Sequence, residues 1–339
     1  MSTQSAIEPG VTDRGAWRAE DIDLEAQVHE LTPAEVAELD AVLATLKARG
    51  QGWLETDRIT CALPQIDGTL MRLVEEVRDG AGFVLLRGIP VERYTKDEVR
   101  TIAWTLASRF GRPVSQNAKG EMIADVMDTI KGAASPRGYH SNAELRLHTD
   151  PASDIIGLCC IEAAKEGGDS MLASAVAVHD ALRRENTAAL DILYAGFPYH
   201  RFGEGLADDP DITEAPVPVL SITDGKVSCR YGSNRIRGAA EAKGQPLSSA
   251  EAEALALFRD IAARPEFAVT FRMQRGDFLI ANNLTLLHAR TTFVDNDDPD
   301  RPRHLLRFWL EADAGFRAHA PELNFFNRGR CGILPKAKS

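Results

Sequence analysis

Several things are scarce in this 339-residue chain, and each absence narrows its function. There is no dense Lys/Arg tract, and the balance of 39 basic against 50 acidic residues leaves a net charge of −11. Such a chain is a poor match for nucleic acid or an anionic membrane surface. No run approaches the ~18 apolar residues a membrane-spanning helix needs. No apolar stretch follows the opening MSTQSAIEPGVTDRG, so no secretory leader is read there. The five cysteines (Cys61, Cys159, Cys160, Cys229 and Cys331) are odd in number and show no C-x-x-C spacing. That excludes a simple disulfide framework and a zinc ribbon, and a reduced, cytoplasmic protein is expected. H-E-x-x-H is missing, and so is any internal repeat.

The chain is 44% apolar, enough for a substantial core, and its length allows one large domain. Residues 1–15 are small and polar and are expected to be disordered, with a single domain over 16–339. The first third reads as helical. Thr32-Pro33 caps an amphipathic stretch closed by Gly50, residues 67–80 form a second helix, and 96–111 a third that ends in glycine. Between the last two, GFVLLRGIP (82–90) is a short buried strand. Residues 131–146 read as a loop and a candidate lid, with Tyr139, His140 and Asn142 as its polar members. The almost continuously apolar DIIGLCCIEA (154–163) predicts a strand covered on both faces. Helices are expected at 176–185 and 248–264. FAVTFRM, RGDFLIAN, LTLLHART and HLLRFWLEA then read as strands separated by turns such as Asn282-Asn283. Early helices and late strands predict an α+β fold with an antiparallel core, and a jelly roll solves the edge problem of many short strands.

The chemistry-bearing residues are scattered. His148 and Asp150, two apart on an extended segment, point the same way while Thr149 points away. In a chain with eight histidines and 50 acidic residues a His-x-acid pair arises by chance, so the pair alone says little. His288 stands in an otherwise apolar strand, where a lone histidine is commonly a core residue. Together, two imidazoles and one carboxylate can cap one face of Fe(II) and leave the other open. Arg303 and Arg307 share a strand face with Leu305 and Trp309, so both need an anion, either a protein carboxylate or a ligand. Gly167-Gly168 makes a turn, and Ser170 follows it into a strand. Arg290 shares a face with His288, and Arg230 and Tyr231 sit in the plausible strand VSCRYG.

GFVLLRGIP, LRLHTD, EGGDSMLAS, GDFLIANNLTLLHART and RHLLRFWL, in this order, resemble the taurine dioxygenase and clavaminate synthase-like family of Fe(II)/2-oxoglutarate oxygenases, over about residues 82–310. The resemblance implies a double-stranded β-helix core with flanking helices. It implies Fe(II) on His148, Asp150 and His288, 2-oxoglutarate held by Arg303 and Ser170, and oxygen as the oxidant. The expected reaction is hydroxylation of an unactivated C–H, with release of succinate and carbon dioxide. The expected partner is a small anionic or amino-acid-like metabolite, and self-association stays open. Arg307 matches a position that pairs with a substrate anion, and Glu144, Asn142 and Arg290 are the remaining substrate-side candidates.

Some features depart from the family pattern. Arg303 follows His288 by 15 positions, a longer spacing than in the taurine enzymes, and the polar residues that hold a sulfonate are not recognisable, which argues against taurine. A carboxylate ligand, rather than Gly or Ala, argues against a halogenase. Two other classes remain open from the residues alone. One is a metal-dependent hydrolase on the same three ligands. The other is a non-catalytic binding protein on the same barrel. Metal analysis and 2-oxoglutarate-dependent succinate formation separate them.

Overall fold

The structure is a computed structural model that describes residues 13–56, 61–130 and 140–335. In chain order its elements are β1 (Val28–Glu30), α1 (Pro33–Ala48), α2 (Asp67–Asp79), β2 (Phe83–Arg87), α3 (Lys96–Ala107), β3 (Arg112–Val114), β4 (Ile123–Val126) and β5 (Leu145–His148). Next come β6 (Ile155–Glu162), β7 (Glu166–Gly167), β8 (Ser170–Ser174), α4 (Ala175–Glu185), α5 (Thr187–Ala195), β9 (Leu220–Thr223) and β10 (Lys226–Cys229). The chain continues through α6 (Ser233–Lys243), α7 (Ser249–Ala262), β11 (Ala268–Phe271), β12 (Phe278–Asn282), β13 (Leu286–Arg290), β14 (Phe293–Val294) and β15 (His304–Glu311).

Helices and sheets are mixed as expected. Two sheets carry the architecture. The larger has seven strands in the order β1-β2-β12-β6-β15-β3, with β4 also pairing with β15. The smaller is antiparallel, β11-β8-β13-β5. The alternation of β15 shows how they pack. Leu305 and Trp309 join a cluster with Leu147, Leu172 and Leu286 of the smaller sheet, whereas Leu306, Phe308 and Leu310 join Leu39, Leu70 and Leu106 of the early helices. β6, at the centre, is buried along nearly its whole length, as its unbroken apolar run requires. Helices α4, α5 and α7 add Leu182, Leu193 and Phe258 to the first cluster.

Local chemistry explains the boundaries. In α1 the Thr32 hydroxyl accepts from Glu35 N and the Glu35 carboxylate accepts from Thr32 N, a reciprocal cap. Ser248 and Glu251 repeat it in α7. Three differences from the sequence reading matter. β5 stops at His148, so Asp150 lies just past the strand rather than on it. Helices α5 and α6 were not anticipated; α6 buries only Ile236 and Ala239, too few to give a legible stripe. Of residues 1–15, expected to be disordered, 1–12 lie outside the described residues. Residues 13–15 are tied down: Asp13 pairs with Arg317 at 2.7 Å, and Gly15 O accepts from the Ser174 hydroxyl.

Candidate active site

The two sheets bring three distant residues to one point. His148 ends β5 and His288 lies directly opposite it on β13, with ring centroids 4.2 Å apart. Asp150 follows two residues later. Ligand atoms of His148, Asp150 and His288 all lie within 4.8 Å of one another. Thr149 points away, as alternation demands: its N donates to Tyr231 O, and its hydroxyl accepts from Tyr231 N, both at 2.9 Å.

The surroundings favour ligands over a core cluster. His148 Nδ1 lies 2.8 Å from Arg146 O. Donation there leaves the lone pair on Nε2, the nitrogen then available to a metal. Burial, then the neighbouring His148, pushes the His288 pKa down to about 3, so its imidazole stays neutral. Burial alone would raise the Asp150 pKa; the guanidinium of Arg307, with His288 and His148, outweighs it and holds the carboxyl below its ordinary range.

Asp150 is held from every side. Arg307 Nη1 donates to Oδ1 at 3.2 Å and Trp309 Nε1 to Oδ2 at 2.8 Å. Arg307 Nε also donates to Gln116 Oε1 at 2.8 Å. Arg307 is thus engaged with the Asp150 carboxylate and with Gln116. The backbone of Asp150 is fixed by Asn283, whose Oδ1 accepts from Asp150 N at 2.8 Å and whose Nδ2 donates to Asp150 O at 2.8 Å and Ser153 O at 2.7 Å. Arg230 Nη1 donates to the same two carbonyls. Arg230 therefore braces the site from behind, and Tyr231 does so through its backbone. The sequence reading missed Asn283, Gln116 and the role of Trp309. The available signal for Asn283 was an amide pair inside an apolar stretch, FLIANNLTLL.

A second polar centre is formed by Arg303, just before β15 of the larger sheet, with Ser170 and Arg290 of the smaller one. Arg303 is 4% exposed, and its Nη1 is buried without a hydrogen-bond partner. Burial lowers its pKa. Its backbone N donates to Asp295 Oδ1 at 2.7 Å. Gly168 (φ +71) lets it approach: a Cβ there would meet Arg303 Nε at 2.9 Å. Ser170, also buried, begins β8 in register with Arg290. Arg290 is buried as well, with Nη2 donating to Ser141 O and Ala143 O. Glu144 and Asn142 are exposed on the segment before β5. Of the lid candidates, Tyr139 lies outside the described residues, and Thr129 N donates to His140 O at 3.2 Å.

Two imidazoles and a carboxylate on facing strands of an antiparallel core, beside buried guanidinium donors that lack an anion, define the site of a non-haem metal oxygenase. The sequence profile described as "Taurine catabolism dioxygenase TauD, TfdA family" matches residues 47–309. FR-33289 synthase of Streptomyces rubellomurinus is 30% identical over 312 residues, which cover 90% of this chain and 91% of that protein. The taurine hydroxylase-like protein SAT17 of Stachybotrys chartarum is 30% identical, covering 82% of this chain and 73% of its own. A uridine-5'-phosphate dioxygenase of Streptomyces sp. is 32% identical, covering 53% and 66%. Among solved structures, an asparagine oxygenase complex with Fe(II), 2S,3S-3-hydroxyasparagine and succinate superposes with a TM-score of 0.64 at 20% identity, covering 84% of this chain and 93% of that one. The oxygenase OrfP in complex with Fe and alpha-ketoglutaric acid gives 0.62 at 17%, covering 84% and 94%. The chain belongs to the TauD, TfdA family and is an iron- and 2-oxoglutarate-dependent dioxygenase.

Among the described residues, no helix is long and apolar enough to cross a membrane.

Proposed function

We propose that this enzyme hydroxylates an unactivated C–H bond of a small anionic or amino-acid-like metabolite, with a metal ion on His148, Asp150 and His288 and the far carboxylate of 2-oxoglutarate on Arg303 and Ser170. The carrying observation is the convergence of three ligand atoms within 4.8 Å on the sheet that also carries Ser170, near Arg303 with its buried, unpartnered Nη1. The residues fit both groups: the donor set is neutral imidazole and carboxylate, and the orphaned guanidinium nitrogen calls for an anion. We read the two facing sheets as a double-stranded β-helix, with the site between them.

When bound, iron and 2-oxoglutarate supply the oxidising chemistry, in which dioxygen converts the oxo acid to succinate and carbon dioxide and leaves one oxygen atom in the substrate. The chain's own residues do the rest. Trp309 and Arg307 aim the Asp150 carboxylate. Asn283 and Arg230 fix the backbone that presents it. The apolar lining from Leu147, Leu172 and Leu286 keeps bulk water from the ligand strands.

The substrate class follows from the relatives and from charge. One relative is named for uridine-5'-phosphate, a phosphate monoester, and another for hydroxylation of taurine, an amino sulfonate; both names point to small molecules that carry a strongly acidic group. Glu144 is exposed on the segment before β5, and Arg307 donates to Asp150; an amino-acid-like substrate stays within the reading, since one structural neighbour is an asparagine oxygenase. The test is anaerobic loading with Fe(II) and 2-oxoglutarate, followed by oxygen and a screen of amino-acid, phosphorylated and sulfonate metabolites for succinate release. Stimulated succinate release, abolished in His148→Ala, is expected. Loaded protein that turns over no 2-oxoglutarate with any candidate, while hydrolysing an ester or amide with zinc, would overturn the proposal in favour of a hydrolase.

A further inference from the structure

Arg290 holds buried donors that the site as described leaves unused. It ends β13 two residues after His288, is 5% exposed, and stands directly across from Ser170 of β8. Nη2 is spent on Ser141 O and Ala143 O, but Nε and Nη1 are buried without an acceptor. Arg303 Nη1 is in the same condition. The two guanidinium groups lie against one ring, that of Phe293, at 4.8 and 4.9 Å from its centroid. Asp128 and Asp295 are the carboxylates that influence them. Among the described residues, neither forms an ion pair with these arginines.

Two buried cations around one ring with three orphaned donors are costly unless an anion joins them. The strand register says which anion. Along β13 and β8, His288 faces Leu172 and Arg290 faces Ser170. The step from the metal ligand to the Arg290–Ser170 pair is two residues, about 7 Å. A five-carbon diacid whose near end reaches the metal can place its far carboxylate there. We propose that Arg290 is a second arginine of the co-substrate's carboxylate cradle, with Arg303 and Ser170, and not part of the substrate pocket. The same side chain then links that carboxylate to the backbone at Ser141 and Ala143, on the segment leading into β5. This inference rests on the 2-oxoglutarate reading above.

The test uses two metal-chelating probes, 2-oxoglutarate and pyruvate; pyruvate lacks the far carboxylate. Both are titrated anaerobically into the Fe(II)-loaded protein. Arg290→Gln should weaken 2-oxoglutarate binding by tenfold or more, the scale of a lost charge-assisted contact, and leave pyruvate binding unchanged. Arg290→Lys keeps the buried charge but cannot present a fork, so its loss should be smaller. Protection of residues 140–148 from hydrogen exchange on adding 2-oxoglutarate should disappear in both variants. Folded variants with wild-type 2-oxoglutarate affinity would overturn the proposal and return Arg290 to the substrate side. Arg303→Leu is the control. If the wild-type protein bound 2-oxoglutarate no better than pyruvate, the cradle itself would be wrong, a result separable from a failure of Arg290 alone.

Discussion

Asn283 offers a sharp test of how the metal site is built. It is 1% exposed, and its single amide serves three backbone groups: Asp150 N, Asp150 O and Ser153 O. In Asn283→Ala, Asp150 N loses its acceptor, whereas both carbonyls keep a donor in Arg230 Nη1. One orphaned buried group costs about 1–3 kcal/mol. Arg230→Met alone likewise leaves both carbonyls with Asn283 Nδ2. The double variant strips both carbonyls together. With two carbonyls orphaned only there, its loss should exceed the sum of the two single losses by at least about 2 kcal/mol. Urea unfolding of the four proteins, chelator-treated, gives the cycle, with Arg230→Lys as a milder partner should the double variant be unfolded in buffer. Metal titration gives the second readout: Asn283→Ala should bind about 10–100-fold more weakly, as when outer-shell supports of a metal ligand are lost. Additive unfolding energies together with unchanged metal affinity would refute the idea that these two side chains jointly hold the Asp150 backbone.

Two further outcomes are expected. His288 is neutral in the folded chain down to pH about 3, whereas the unfolded chain takes up that proton near 6.5. The unfolded state binds the extra proton, so chelator-treated protein should lose stability as pH falls below about 6.5, by about 2 kcal/mol at pH 5; His288→Gln should show a shallower loss in urea melts at pH 7 and 5, and an identical slope would discard the assignment. Arg307→Leu leaves the Asp150 carboxylate without its cation and should destabilise the metal-free protein by about 3–5 kcal/mol while altering 2-oxoglutarate affinity far less than Arg303→Leu; a stable variant whose only defect is a raised substrate KM would restore Arg307 to a substrate anion.

What could be read from the sequence was whatever depends on local pattern. The continuous apolar run of β6 announced burial on both faces, and the structure buries it so. Alternation placed Leu305 and Trp309 on one side of β15 and Leu306 and Phe308 on the other, and the two clusters divide them that way. Thr149 turned away from His148 for the same reason. Elements lacking a strong pattern escaped. β3 and β4 are three and four residues long and exist because β15 offers them a ladder. Helix α5 was readable in principle, since Asn186 caps it by accepting from Ala189 N at 3.0 Å, but its start directly abuts the end of α4 and hid the boundary.

Partner choice is the part that pattern cannot supply. Read from sequence as one extended run, RHLLRFWL puts Arg303 and Arg307 on one face, where a buried guanidinium requires an anion; in the structure β15 begins at His304, so Arg303 stands just before it. Four residues, about 13 Å at the rise of a strand, separate the two, so each meets a different neighbour. For Arg307 the anion is the carboxylate of Asp150, 157 positions earlier, brought there when β6 pairs with β15 and the chain entering β6 passes over Arg307 and Trp309. For Arg303 no protein carboxylate arrives among the described residues, and its Nη1 stays unpartnered. Two arginines alike in sequence therefore meet different surroundings: one donates to the Asp150 carboxylate, and the other keeps a buried Nη1 without a partner. That difference follows from which strands pair, and it becomes visible only once the sheet is assembled.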